Sequence, residues 1–477
     1  MQNKKWQFLI VVGAVAVLAT FAVAQDGRSP GAQKQIVHPY TPPSADSVVQ
    51  RGTVITPQSS VQRPGDAGRF AHTNYKIFQP EGRNLADITP DNTFAEYPAS
   101  LACVYKVGPG YPGCVPANNG KVATGGWGAI ALVDAYDYPT AGTDIAYFSS
   151  FFLLPAANFG VIYANSSWGA QGSLGLVASC SGQPSNGNLH SGWDIESALD
   201  IEWAHAMAPS ATILLVEACS NSYNDLFVAE EVASYYVSLY GGGEVSNSWG
   251  SGEFGSEVNF DNYFYRDYYD HITRFVSAGD NGLGAQYPSS SPWVVSAGGT
   301  RVNRAANGNF QNESCWSGSG GGTSSVEIWQ NPPNNILNGM GAWSAYQYEL
   351  FGGYPFATAG RATPDMSFDA DPASGVYVRN TNGGGPWYIV GGTSVAAPSL
   401  AGIVNASNNR LGQTPPGGGW YHNGENDLLY AELYTNSTLS DYKKNFYDVK
   451  TGSNGAAAGP GWDYCTGVGS PRGHAGK

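Results

Sequence analysis

From residue 129 to residue 408, short β-branched runs alternate with stretches of helical pattern, and this alternation restricts the fold more than any other feature of the chain. The runs Ala129–Asp134, Thr212–Val216, Glu244–Ser248, Arg274–Ser277, Trp293–Ser296 and Trp387–Val390 read as strands. The stretches Trp193–Ala206, Tyr223–Tyr240 and Ser394–Asn408 read as helices. Buried apolar strands followed by helices predict an α/β protein whose parallel sheet is covered on both faces. Functional residues in such sheets gather at the carboxyl ends of the strands. Charged residues make up only 13% of the chain while Gly numbers 63, so long ordered loops on a compact scaffold are expected rather than a helical bundle.

Lys4 and Lys5 precede an apolar run from Phe8 to Val23 that ends in Ala22-Val23-Ala24, the pattern of a signal peptide cleaved after residue 24. Residues 25–95 are rich in Pro, Ser and Gln and read as a mostly disordered leader or short pro-segment, with an ordered piece around Tyr75 to Phe78. Residues 96–477 then form a single large domain. The six cysteines, Cys103, Cys114, Cys180, Cys219, Cys315 and Cys465, suit up to three disulfides in an oxidising compartment. Cys103 and Cys114 flank a Gly/Pro turn and are the expected pair; the other pairings stay open. A formal net charge of −14 speaks against nucleic acid or anionic membrane as partner, because phosphate binding needs a basic surface. The expectation is a secreted monomer, extracellular or periplasmic.

Three strings carry chemistry. Gly391-Gly392-Thr393-Ser394-Val395-Ala396-Ala397-Pro398 follows an apolar strand and opens an Ala-rich helix. Ser394 therefore sits where unpaired backbone N–H groups and the helix dipole favour the oxyanion formed when a serine attacks a carbonyl. Gly-Thr-Ser alone would read as an ordinary N-cap, but the full string is similar to the serine motif of the subtilisin-like fold. None of the seven histidines lies in the His-Gly-Thr-His type of string that supplies a subtilisin's base. The stretch Trp193 to Pro209 offers another base. Ser191 and Asp194 give it a capping-box-like start, and Glu196 and Asp200, four residues apart, share one helix face. Among Ile195, Ala198, Leu199 and Trp203 that pair should be buried and share a proton, making Glu196 a usable base in acid. Phe275-Val276-Ser277-Ala278-Gly279-Asp280-Asn281-Gly282 ends a strand in a tight turn that presents Asp280. Protonated in an apolar site, an aspartic acid can donate into an oxyanion hole.

In order and context, Glu196, Asp200, Asp280 and Ser394 resemble the sedolisins, the serine-carboxyl peptidases, from about Tyr97 to about Gly469. The resemblance implies a subtilisin-like fold with Ser394 as nucleophile and Glu196 as general base and acid. It implies that Asp200 orients Glu196, and that Asp280 and the Ser394 N–H form the oxyanion hole. Glu244 to Gly250 is similar to the family's substrate-binding strand, and its Trp249, with Asp134, would extend the carboxylate network. Asp448-Val449 and Gly459-Pro460-Gly461-Trp462-Asp463 resemble the family's calcium site, with carboxylates from Asp448 and Asp463 and carbonyls from Val449, Gly459 and Gly461. Such a Ca2+ would be structural. Members of the family carry a large folded propeptide, for which residues 25–95 are too short and too polar. Ser197 stands where several members place Trp. The activity implied is acid hydrolysis of protein or peptide by an endopeptidase through an acyl-enzyme. The alternatives are an exopeptidase releasing short peptides from N-termini and a secreted binding protein that has lost activity.

Overall fold

Three short strands, β1 (Gly52–Ile55), β2 (His72–Thr73) and β3 (Lys76–Pro80), precede helix α1 (Pro98–Val104). They are followed by β4 (Ala129–Ala135), α2 (Ala141–Phe151), β5 (Asn158–Ala164), α3 (Trp193–Met207), β6 (Thr212–Ala218), α4 (Tyr223–Leu239) and β7 (Gly243–Asn247). Next come β8 (Trp249–Gly252), β9 (Ile272–Ser277), β10 (Gln286–Tyr287), β11 (Val295–Arg304), β12 (Phe310–Cys315), β13 (Gly322–Ile328) and β14 (Gly360–Thr363). β15 (Met366–Asp369), β16 (Val376–Arg379), β17 (Trp387–Gly391) and α5 (Thr393–Ser407) lead toward the C-terminal loops. This is a computed structural model that describes residues 51–90, 95–116, 121–186, 192–264, 271–328, 360–382, 385–408, 424–434 and 441–477. The signal peptide expected at residues 1–24 lies outside them, as does Ser191 of the expected capping box. No helix among the described residues is long and apolar enough to cross a membrane.

The central sheet has the order β12-β11-β9-β7-β4-β6-β5, with β15 also paired to β11. Seven of its strands run parallel, and β12 is the antiparallel edge. Successive side chains of a strand point to opposite faces, and here each face has its own core. Ile130, Leu132, Ile213 and Leu215 pack with Leu199 and Trp203 of α3 and with Val395 and Leu400 of α5. Ala131, Val133, Leu214 and Val216 pack on the other side with Leu226, Phe227 and Val232 of α4. Helix α3 is buried along its whole length, so its two carboxylates have no solvated face to turn toward. Three disulfides close the loops: Cys103–Cys114 as expected, and Cys180–Cys219 and Cys315–Cys465, which spacing alone left open.

Two sequence expectations change. β17, the strand that delivers Ser394, is not in the parallel sheet; it lies in a separate antiparallel sheet of order β1-β3-β17-β16. The described part of the expected leader is also folded, because β1 pairs β3, β3 pairs β17, and β2 pairs β8. These strands are two to five residues long with no clean alternation. Their order comes from pairing with distant strands, which local pattern does not show.

Candidate active site

The serine sits at the junction of β17 and α5. Gly392 has φ 122° and ψ 163°, a backbone conformation that side chains avoid, and a Cβ there would lie 2.3 Å from the Asn74 carbonyl oxygen and 2.5 Å from Asp280 Oδ2. That crowding explains the second glycine of the motif. Ser394 is fully buried; its hydroxyl donates to the Ser248 carbonyl at 3.2 Å, and its backbone N–H donates to the Asn74 carbonyl at 3.0 Å.

Glu196 and Asp200 lie one turn apart on α3, both with no exposed surface. Burial holds the Glu196 carboxyl well above the usual carboxylate range; the charges of Asp200 and Asp134 add to this, and the Ser394 hydroxyl draws it part of the way back. Neither Glu196 oxygen has a partner in full hydrogen-bond geometry among the described residues, since Ser394 is turned toward Ser248. Such contacts often tighten only when substrate binds. Asp200 accepts from the Ser248 hydroxyl at 2.9 Å. Burial, then the Asp134 charge, pushes its proton affinity well up, against the hydrogen bonds from Ser248 and Glu196. Asp134 completes the cluster, raised by burial to about 7. The expected link through Trp249 takes another form: its indole N–H donates to the Val133 carbonyl at 3.0 Å rather than to the Asp134 carboxylate.

Asp280 closes the site from the end of β9. Its Oδ1 accepts from the Thr393 N–H at 2.8 Å and the Thr393 hydroxyl at 3.0 Å. Its Oδ2 is buried and has no partner among the described residues. Burial raises the Asp280 pKa to about 7, opposed by Thr393 and by the Lys76 charge. Below that pH the acid is protonated, and Oδ2, the oxygen without a partner, can carry the proton as a donor. The four residues picked out by motif therefore meet at one place. Two of the described histidines contact backbone carbonyls, His205 Nε2 that of Pro155 at 2.9 Å and His72 Nδ1 that of Thr73 at 3.0 Å, and neither is among the groups acting on the Glu196 carboxyl.

Sequence reasoning missed Asn74, Ser248, Ser277 and Thr393. Thr393, Ser248 and Ser277 stand inside recognised strings and could have been found as neighbours. Asn74 carries no such signal, being 320 residues from Ser394.

In the C-terminal loop, Gly461 N–H donates to Asp448 Oδ1 at 2.9 Å and Gly459 N–H donates to Asp463 Oδ2 at 3.1 Å. Both carboxylates thus abut the same turn. The carbonyls of Val449, Gly459 and Gly461 receive no backbone hydrogen bond among the described residues. Lys450 Nζ lies 2.9 Å from Asp448 Oδ2 on an exposed side chain. No three His, Cys, Asp or Glu side chains converge as a metal site among the described residues.

No family model matches the chain. It is 32% identical over 307 residues to kumamolisin of Bacillus sp. (strain MN-32), covering 59% of this chain and 50% of that protein. It is 29% identical over 223 residues to human tripeptidyl-peptidase 1, covering 42% of this chain and 36% of that protein. The chain thus spans half or less of the length of these relatives. Among solved structures, Pseudomonas sedolisin, a serine-carboxyl proteinase complexed with pseudo-iodotyrostatin, superposes with a TM-score of 0.55 at 23% identity, covering 80% of this chain and 96% of that one. The fold is accordingly the subtilisin-like α/β fold.

Proposed function

This chain belongs to the sedolisin family of serine-carboxyl peptidases, and on that premise we propose that it is a secreted, acid-active endopeptidase. Ser394 Oγ attacks the carbonyl carbon of a peptide bond and passes its proton to Glu196, which Asp200 orients and with which it shares a proton. The oxyanion is held by the Ser394 N–H and by protonated Asp280. Glu196 then protonates the departing amine, and water releases the acyl group by the same route in reverse. The observation that carries this reading is Asp280, whose Oδ1 is occupied by Thr393 while its buried Oδ2 is left to donate beside Ser394. A histidine base would be charged and idle in acid; a buried carboxylate pair that shares one proton is not.

Digestion of denatured casein at pH 4 tests the reading. Wild-type protein is expected to cleave it, and Ser394→Ala to lose roughly 10⁴-fold or more of the rate. Equal cleavage by both would dismiss Ser394. A second reading, release of tripeptides from free N-termini, draws support from the likeness to tripeptidyl-peptidase 1 and from a cavity lined by Tyr75, Gly192, Asp194 and Tyr388. Among the described residues the Asp194 carboxylate there accepts long hydrogen bonds, at 3.4 and 3.3 Å, from Asn380 and Asn382, and it is offered as the group that takes a free amine. Product masses separate the two: internal fragments for the endopeptidase, tripeptides alone for the exopeptidase.

A structural Ca2+ in the C-terminal loop belongs to the same proposal. Asp448 and Asp463 would hold it by carboxylates, and Val449, Gly459 and Gly461 by carbonyls, with the Lys450 ammonium displaced to solvent. It would pin the loop and take no part in the chemistry. A chelator is expected to lower Tm by several degrees; an unchanged Tm would remove the ion from the account. Residues 1–24, read as a signal peptide, and the three disulfides support secretion.

A further inference from the structure

We propose that this chain's own segment His72–Tyr75 lies in the cleft as a bound substrate, and that the site cuts peptide bonds that follow asparagine, beginning with its own Asn74–Tyr75 bond. The inference rests on the peptidase reading above and adds the substrate class.

Each part of a substrate's contact with a serine peptidase has a counterpart in this segment. Strand β2 pairs antiparallel with β8, His72 opposite Gly250 and Thr73 opposite Trp249, so the segment adds an edge strand beside the cleft. Asn74 follows and meets the nucleophile: its N–H reaches Ser394 Oγ at 3.2 Å, and its carbonyl oxygen accepts from the Ser394 N–H at 3.0 Å. That carbonyl oxygen and Asp280 Oδ2 both crowd the one point beside Gly392 where a Cβ would stand. The Asn74 carbonyl therefore already occupies the position where an oxyanion would be held. On the far side of the bond, Tyr75 is fully buried and donates its hydroxyl proton to the Gly192 carbonyl at 2.7 Å, and β3 continues into the sheet with β17.

The side chain of Asn74 reports what the pocket before the cut accepts. Its Nδ2 donates to Ser277 Oγ at 2.7 Å, and Ser277 is fully buried. An aspartate in place of Asn74 would bury a carboxylate near Asp280 and lose the donor to Ser277. Alanine would leave the Ser277 hydroxyl without that partner. In the reaction, Ser394 Oγ bonds to the Asn74 carbonyl carbon, the C–N bond to Tyr75 breaks, and Glu196 delivers the Ser394 proton to the Tyr75 nitrogen. Water then frees Asn74 as a new carboxylate. The piece ending at Asn74 remains held after the cut, since β1 pairs with β3 from Gly52↔Pro80 to Ile55↔Ile77.

The test uses the full chain incubated at pH 4, denatured to part the two pieces, and weighed by mass spectrometry. Cleavage between Asn74 and Tyr75 in wild type, absent in Ser394→Ala, is expected. The same preparation is given peptides of sequence His-Thr-Asn-Tyr-Lys with Asn, Ala or Asp at the third position. Asn should give kcat/KM about tenfold higher, the size of one hydrogen bond, and Ser277→Ala should abolish that margin. Casein serves as control. An enzyme that digests casein but leaves Asn74–Tyr75 whole, or cuts the three peptides equally, overturns the inference and leaves the peptidase reading standing. Failure to digest casein at any pH from 3 to 8 overturns both.

Discussion

Glu230 and Glu196 are both fully buried on helices that flank the central sheet, but only one of them is given a cation. Glu230 on α4 faces Arg274 of β9 at 2.8 Å and accepts from Asn247 Nδ2 at 2.9 Å, and Arg274 is held in turn by the Ser234 hydroxyl at 2.7 Å. Burial raises the Glu230 pKa, but Arg274 is the strongest opposing influence. Glu196 on α3 has Asp200 and Asp134 as its charged company, and both raise its proton affinity further. A buried ion pair fixes a geometry and keeps its charge. A buried cluster of like charges cannot ionise fully, so it keeps a proton that can move. The first arrangement suits a framework and the second suits acid–base chemistry.

Substitutions at the two sites should therefore fail differently. Glu196→Gln keeps shape and removes the base; cleavage is expected to fall roughly 10³-fold or more, while Tm at pH 7 holds or rises because a buried carboxylate is gone. Arg274→Met leaves Glu230 buried without its cation and should cost about 3–5 kcal/mol in denaturant unfolding at pH 7. The sign follows from the raised folded pKa of Glu230: the penalty grows as pH rises above the unfolded carboxylate value and vanishes only well below it, where both states are protonated. Cleavage per folded molecule should be unchanged. If Glu196→Gln proved the destabilised variant and Arg274→Met the inactive one, the contrast between the two sites would be reversed. The smallest effect is expected for Asp280→Asn, which retains a donor that cannot titrate. Its activity in acid should drop about tenfold, less than the roughly 10²–10³-fold cost of removing an oxyanion donor outright, while its rate no longer falls as pH passes about 7, where Asp280 loses its proton.

Helices α3 and α5 were legible in the sequence to within a residue or so, because each is long and carries a motif with few other readings. Strands β4, β7 and β9 were legible for their apolar runs. Strand β5 was not, being a partly exposed edge that includes Gly160, and α2 opens on Ala-Gly-Thr with weak periodicity. The four motif residues of the site could be named individually because each lies in a distinctive string. What joins Asn74 to Ser277 and Ser394 is tertiary, and nothing within residues 51–90 announces it. The carboxylate pair was read from spacing as two residues on one helix face, with Asp134 as an extension implied by the family resemblance, but its burial on all sides was visible only once both cores were in view.

The most direct test of a carboxylate base is the pH dependence of kcat/KM for a peptide substrate from pH 3 to 8. The account predicts a maximum in acid, with an alkaline limb near 7 as Asp280 ionises. A profile that climbs through neutrality to a plateau near pH 8 would contradict it and return the role of base to a histidine.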